Sequence, residues 1–335
     1  MSDLSALHEE LPLPAGWSAP ELVRHRTRVG AVQIELAGLS ATGPDGVVVT
    51  SAAGCIGEDP LDRAYYELVE RTGILEARRD LDAVLVVRDH AGTELRRATA
   101  GSLLVSDAAT PTFTPARSNG VALGPTWRQA AERASLELAE RDQVLRSWYG
   151  ATAPERLSSG ELMPGDLGSS CVVEVYRLDG GNGAWVVGVV CWPRDDRRPV
   201  VIGYGARNGL IEAQHAARDE CLQRLGFLWD EDLPEVEPQF SPTPDYHQDY
   251  YLWRGSHGTL RAWLSGDHLG AQSEVVPQAT RAVEDVEFVD LTPDPLRGRV
   301  ALAQALPRRE LLLGFGSSHP TLGAVGAALR VHPIV

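Results

Sequence analysis

The sequence predicts an α+β (mixed α/β) protein built from repeated strand–helix units. Three stretches follow one design: VVVTSAAGCIGEDPLDRAYYELVERTG (47–73), ARSNGVALGPTWRQAAERASLELAERDQVLRSWYG (116–150) and VVIGYGARNGLIEAQHAARDECLQRLGFLW (200–229). Each runs from an extended or glycine-rich stretch into a long helix with carboxylates on its second or third turn. Between them lie runs of β-branched residues bounded by Gly, Pro or Asp, the signature of short strands. Repetition of this kind signals repeated architecture, and the order of strands and helices places it in the mixed class.

In chain order, residues 1–44 read as an N-terminal strand and loop segment, and 45–335 as one domain whose repeat core spans 45–230. Glycines at the turns permit positive φ and close backbone approach, and Pro60 and Pro125 suit helix starts. Strands are expected at AVLVVRD (83–89), CVVEVYRL (171–178), AWVVGVVCW (184–192) and PVVIGYG (199–205). In the second repeat Leu138, Leu145 and Trp148, with Ala131 behind them, supply the apolar face a soluble helix needs. DEDLPEVEPQFSPTPDY (230–246) is rich in proline and acid and reads as an exposed loop or linker. In the C-terminal part, 247–335, HQDYYLWRGSHGTLRAWLSG is helical in part and VEFVDLTPDP is a strand entering a turn.

Composition excludes several functions. The formal net charge is −15 at pH 7 and the hydrophobic fraction is 43%, ample for a core. So negative a chain, without a basic stripe, is unsuited to nucleic acid or anionic membrane. No run approaches the ~18 apolar residues of a membrane span. MSDLSALHEELPLPAGW shows neither the basic nor the apolar region of a secretory signal, so the reading is cytoplasmic. Cys55, Cys171, Cys191 and Cys221 lack zinc or disulfide spacing and read as buried thiols. All 31 basic residues are arginine, which excludes a Walker-A, Schiff-base or pyridoxal-phosphate lysine. Phosphate here must be held by arginine, backbone N–H groups or a metal.

The helices carry the remaining signal. Glu67 and Glu70 are neighbours on the first helix, Glu137 and Glu140 on the second, and Glu220 and Gln223 on the third. Paired like charges disfavour an isolated helix by a few tenths of a kcal/mol. A Mg2+ ion reverses that cost by taking carboxylate oxygens and bridging them to phosphates. Arg71 and Arg141 each follow the second Glu and suit bidentate contacts to phosphate oxygens. Charge and spacing are met equally by a solvated helix face and by a Mg2+-nucleotide site.

Longer motifs separate the two. SAAGCIG…AYYELVERTG, SNGVALG…ASLELAERD and GYGARNGLIEAQHAARDECLQ resemble, in order, the three motif blocks of the YcaO family of ATP-dependent peptide-modifying enzymes. VEFVDLT…GRVALAQALPRRELLLGFGSSHPTLG is similar to the C-terminal half of its azoline-forming branch. The resemblance implies strand–helix units around a nucleotide, with ATP and Mg2+ as cofactors. It implies Glu67, Glu70, Glu137 and Glu140 as metal ligands, Arg71 and Arg141 at the phosphates, and Glu220 and Gln223 completing the site. Ser118 and Asn119 would flank the nucleotide, and the carboxylate of Val335 would assist proton transfer.

The implied reaction is amide activation. A Cys, Ser or Thr side chain of a precursor peptide attacks the preceding carbonyl, and phosphorylation of that oxygen lets it leave as phosphate. Thioamide or amidine formation, or a non-catalytic scaffold, use the same motifs. With little chain before the first motif, a separate leader-peptide-binding partner is expected, and a homodimer is also expected. Departures from the family pattern are Ala64 where Ser is usual, the absent lysine near residues 52–58, for which Arg63 is a substitute, and the tail HPIV. His319 and His332 are the histidines to watch, with capping or surface roles as the simpler reading.

Overall fold

The computed structural model describes residues 3–104, 112–158, 162–179, 183–267, 286–324 and 331–334. Its architecture is mixed α/β, as predicted. A first sheet holds β1 (Glu21–Val29), β2 (Val32–Thr42) and β3 (Val48–Cys55) in that order. A second has the order β5-β4-β12-β13-β7, from β4 (Val84–Arg88), β5 (Glu94–Thr99), β7 (Val121–Gly124), β12 (Phe288–Asp290) and β13 (Ala301–Ala305). A third has the order β11-β10-β9-β8, from β8 (Glu155–Leu157), β9 (Cys171–Arg177), β10 (Trp185–Pro193) and β11 (Val201–Arg207). Two small ladders pair β6 (Phe113–Pro115) with β14 (Gly314–Gly316), and β15 (Ser318–His319) with β16 (Gly323–Ala324).

The three repeats are β3 followed by α2 (Leu61–Ala77), β7 by α4 (Trp127–Trp148), and β11 by α5 (Leu210–Leu228). Each of these strands is the last strand of its own sheet, so one edge of each is left for a helix. Each helix packs on its own strand and on the strand of the next repeat: α2 on β7, α4 on β11 and α5 on β3. The units therefore close into a ring.

Local chemistry explains the joints. Thr126 caps α4, its side chain accepting from the Gln129 N–H, and α2 starts directly after Pro60. Gly203 and Gly205 lie so close to α5 that a Cβ on either would press into its backbone between Ala213 and Cys221. Gly120 instead supplies a positive φ of 63° in the turn before β7. The predicted apolar side of α4 is in the core: Ala131, Leu138, Leu145 and Trp148 are at most 3% exposed.

The remaining helices are α1 (Leu4–Glu10), α3 (Ala100–Leu103), α6 (Pro244–Leu252) and α7 (His257–Leu264). Residues 1–44 hold more than the strand and loop expected from sequence: a helix and a full hairpin, with β2 pairing to β3 across residue 44. The acidic, proline-rich stretch is irregular up to the start of α6. All four cysteines are buried and free. Among the described residues no helix is long and apolar enough to cross a membrane.

Candidate nucleotide and cation site

An edge strand leaves alternate backbone N–H groups without a sheet partner, and burying such a donor unpaired is costly. Each repeat meets this with the first member of its own i, i+3 pair. Ala52 N–H donates to Glu67 at 3.1 Å, Val121 N–H to Glu137 at 2.7 Å, and Tyr204 N–H to Glu220 at 2.7 Å. The second polar position reaches around the ring instead. Glu70 accepts from Leu123 N–H of β7 at 3.0 Å, and Gln223 donates to the Ala52 carbonyl of β3 at 3.2 Å. In the first and third units the i, i+3 pair thus has separate jobs, one position bonding inside the unit and the other between units.

The arginines are equally regular. Arg71 pairs with Glu67 at 2.5 Å and donates to the Thr50 carbonyl at 2.8 Å. Arg141 pairs with Glu137 at 2.5 Å and donates to the Ser118 carbonyl at 2.5 Å. The third helix continues the pattern with Arg224, four residues after Glu220 and acting on its charge. Sequence reasoning missed Arg224, although aligning ExxQR under the two ExxER runs exposes it. Asn119 is 2% exposed and commits its side chain to backbone: it donates to Ala116 and Leu313 carbonyls and accepts from Leu313 N–H. It holds the turn in shape and presents no spare donor. Asp142, the residue after Arg141, accepts from Leu311 N–H and from Arg146, fastening the same C-terminal segment to α4.

The carboxylates act on one another's charge. Burial, then the charge of Glu137, pushes Glu70 up to about 8. Burial, then the charges of Glu220 and Glu137, pushes Glu140 up to about 8. Glu137 and Glu220 are also raised by burial, with Arg141 and Arg224 pulling back. The recess is nevertheless open to solvent, since the Glu67 side chain keeps 31% and the Glu137 side chain 25% of its exposure. Glu67 and Glu137 have both oxygens engaged, whereas Glu70 uses one oxygen and Glu140 has no hydrogen bond or ion pair among the described residues. Unengaged carboxylate oxygens are concentrated on the second position of the first two pairs.

Among the described residues no three His, Cys, Asp or Glu side chains stand close enough to cage a metal on their own. The free oxygens of Glu70 and Glu140 are donors of the kind Mg2+ takes, since it uses one or two carboxylates and fills its octahedron with water and phosphate oxygens. Beside the recess opens a cleft of about 870 Å³, lined by Glu67 and Glu70 with Arg63, Arg133, Arg299 and Tyr66. Arg63 was foreseen as a substitute cation; Arg133 and Arg299 carry no local motif that marks them. Ala64 is fully buried, and Ser51 Oγ donates to its carbonyl at 2.6 Å. His319 and His332 are buried and hydrogen-bonded to the carbonyls of Leu312 and Gly314, and burial lowers both. Val335 lies outside the described residues.

Edge-strand donors, helix carboxylates and an arginine-lined cleft make up an arrangement whose chemistry suits a polyanion together with a divalent metal. Solved structures share the fold. The YcaO protein of Methanopyrus kandleri, bound with AMPPCP and Mg2+, aligns at TM-score 0.55 and 18% identity over 91% of this chain and 87% of that one. The Escherichia coli microcin synthetase McbBCD complex with pro-MccB17 bound aligns at TM-score 0.59 and 11% identity over 100% and 99%. A heterocyclase in complex with substrate and cofactor aligns at TM-score 0.55 and 14% identity, with 91% of this chain matching 52% of that one. No curated protein matches the sequence. The chain belongs to the YcaO cyclodehydratase family: the family model, described as ATP- and Mg2+-binding, matches residues 97–303, more than half of the chain. ATP and Mg2+ are the cofactors of that family. The first repeat precedes the matched residues yet carries the same strand-to-helix hydrogen bond as the two within them.

Proposed function

We propose that the chain is an ATP-dependent cyclodehydratase that forms thiazolines or oxazolines in a ribosomally made precursor peptide. The observation that carries this reading is the ring of Glu67, Glu70, Glu137, Glu140 and Glu220 from three successive repeats, tied to the edge strands by Glu67, Glu70, Glu137 and Glu220, beside a cleft lined with arginine. Glu67, Glu70, Glu137 and Glu140 would form the acidic wall facing Mg2+, with no more than two of them on any one ion and Glu70 and Glu140 offering the free oxygens. Arg71 and Arg141 fix the inner carboxylates and turn their remaining N–H groups to phosphate. Glu220 and Gln223 close the ring, Ser118 flanks the phosphates, and Asn119 keeps the turn in shape. In this division residues 45–230 form the nucleotide core, and β12, β13 and Arg299 from the C-terminal part complete its sheet and its cleft.

Bound Mg2+-ATP supplies an electrophilic γ-phosphoryl group. The substrate's Cys, Ser or Thr side chain adds to the preceding carbonyl carbon, and the resulting oxyanion is phosphorylated. Departure of that oxygen as phosphate, with loss of the amide proton, leaves the ring and ADP. The protein contributes alignment and charge neutralisation, which suffice for phosphoryl transfer. The precursor is delivered by a separate leader-binding partner, and four buried free cysteines are the state expected in a reducing cytoplasm.

Mass spectrometry of the cognate precursor with this protein, its partner and ATP tests the reading. Each ring removes the mass of one water. Exchange of oxygen for sulfur in the presence of sulfide replaces the azoline assignment with thioamidation, and no change with the complete complex replaces it with a scaffold role.

A further inference from the structure

The segment 4–13 lies across α2 and borders the cleft. Leu4 and Leu7 of α1 pack on the cluster beneath α2, and Leu11 and Leu13 are buried. Two fastenings hold this arm. Tyr65 of α2, with no exposed surface, donates its phenol hydrogen to the Leu11 carbonyl at 2.7 Å. That leaves the phenol oxygen to accept from His8 Nδ1 at 2.9 Å. From the opposite side Arg299 donates to the carbonyls of Glu9 at 3.1 Å and Glu10 at 2.5 Å. Those carbonyls belong to the last turn of α1, where unpaired oxygens and the helix dipole favour a cation.

Both fastenings rise from elements that also hold the site. Tyr65 precedes Glu67 and Glu70 on one helix. Arg299 leads into β13, which pairs with β7, and β7 supplies the Leu123 N–H to Glu70. Between the two fastenings Glu10 and Leu11 line the same cleft as Glu67, Glu70, Arg63 and Arg133. Arg299 therefore both fastens the arm and lines the cleft.

We propose that residues 4–13 are a closing wall of the nucleotide cleft, held by the positioning residues Tyr65 and Arg299. Docking of the arm and binding of the Mg2+-nucleotide then reinforce each other. The inference rests on the nucleotide reading above. A wall that keeps water from the cleft strengthens every contact between phosphate, Mg2+ and arginine. Because the coupling is reciprocal, nucleotide must hold the arm down by the factor that the docked arm tightens nucleotide.

The experiment is amide hydrogen exchange of the full chain with and without Mg2+ and a non-hydrolysable ATP analogue, paired with calorimetry on Tyr65→Phe, Arg299→Ala and Arg299→Lys. The expected result is slower exchange at residues 4–13 with the analogue bound. Tyr65→Phe and Arg299→Ala weaken its affinity roughly tenfold, and Arg299→Lys recovers part of the loss. Arg24→Ala, which breaks a surface ion pair with Asp59 outside this cleft, leaves affinity unchanged and controls for general loosening. Wild-type binding with unchanged exchange in the arm, or undiminished affinity in both loosened variants, overturns the wall and spares the nucleotide reading. No binding of the analogue to the wild-type chain overturns both.

Discussion

The first two repeats and the third share one backbone design but differ in a single side chain at the ring-closing position. Glu70 and Glu140 occupy it in the first two, and Gln223 in the third. The difference has a direct electrostatic meaning. Glu70 and Glu140 already sit among the charges of Glu67, Glu137 and Glu220, and both are pushed up to about 8. A further acid at 223 would add another buried like charge. It would also lack the hydrogen that Gln223 donates to the Ala52 carbonyl, since an ionised carboxylate only accepts. The ring therefore carries two acids in each of its first two units, and in the third Glu220 is followed by a neutral closing residue.

That asymmetry can be broken at several points. The largest effect is expected for Glu137→Gln. The amide oxygen still accepts from Val121 N–H, so the fold persists, while the charge that Arg141 and the metal answer is lost. Peptide turnover should fall by on the order of 100-fold or more, read by mass spectrometry at saturating ATP. Next is Gly203→Ala in the third unit, where the new methyl meets the backbone of α5. A loss of about 1–3 kcal/mol is expected from such overpacking, measured by chemical denaturation.

The pH dependence sharpens the contrast further. Glu70 and Glu140 keep their protons in the folded chain up to about pH 8, against an ordinary value of 4.5. The folded state binds more protons, so their contribution to stability is full below about 4.5 and is lost as pH rises through about 8. Melting without Mg2+ should decline across that window, and Mg2+-nucleotide affinity should rise across it. Glu140→Gln should flatten the decline and raise the melting temperature at pH 8 by about 1–2 °C, as ~1 kcal/mol does in a chain of 335 residues. Gln223→Glu should lower it at pH 8 by a similar amount and change little at pH 5. Equal effects at both pH values would show that charge is not what sets the closing position.

The repeats and their acidic faces were legible because helical spacing places residues three and four apart on one side whatever the tertiary context. The strand cores at 84–88, 171–177 and 185–193 were legible from β-branched composition. The partners of the carboxylates were hidden, because only the assembled sheets reveal that β3, β7 and β11 are edges. α1 escaped notice because seven residues form no stable helix alone, and it is held by Tyr65 and Arg299 from distant parts of the chain. A strand was expected within residues 1–44 but not the β1–β2 hairpin, because most of β1 is exposed on both faces, which erases the alternation that marks a half-buried strand.

The edge position of β3, β7 and β11 has one further consequence. An open strand edge is a template on which other chains can assemble. Here at least one donor on each of the three edges is occupied by a carboxylate of the same molecule, so the acids of the ring also blunt three sheet edges. Replacing Glu67, Glu137 or Glu220 with alanine removes that cover as well as the charge, whereas glutamine removes the charge alone. Solubility of the alanine and glutamine variants, compared side by side, would separate self-association from catalysis within one set of positions.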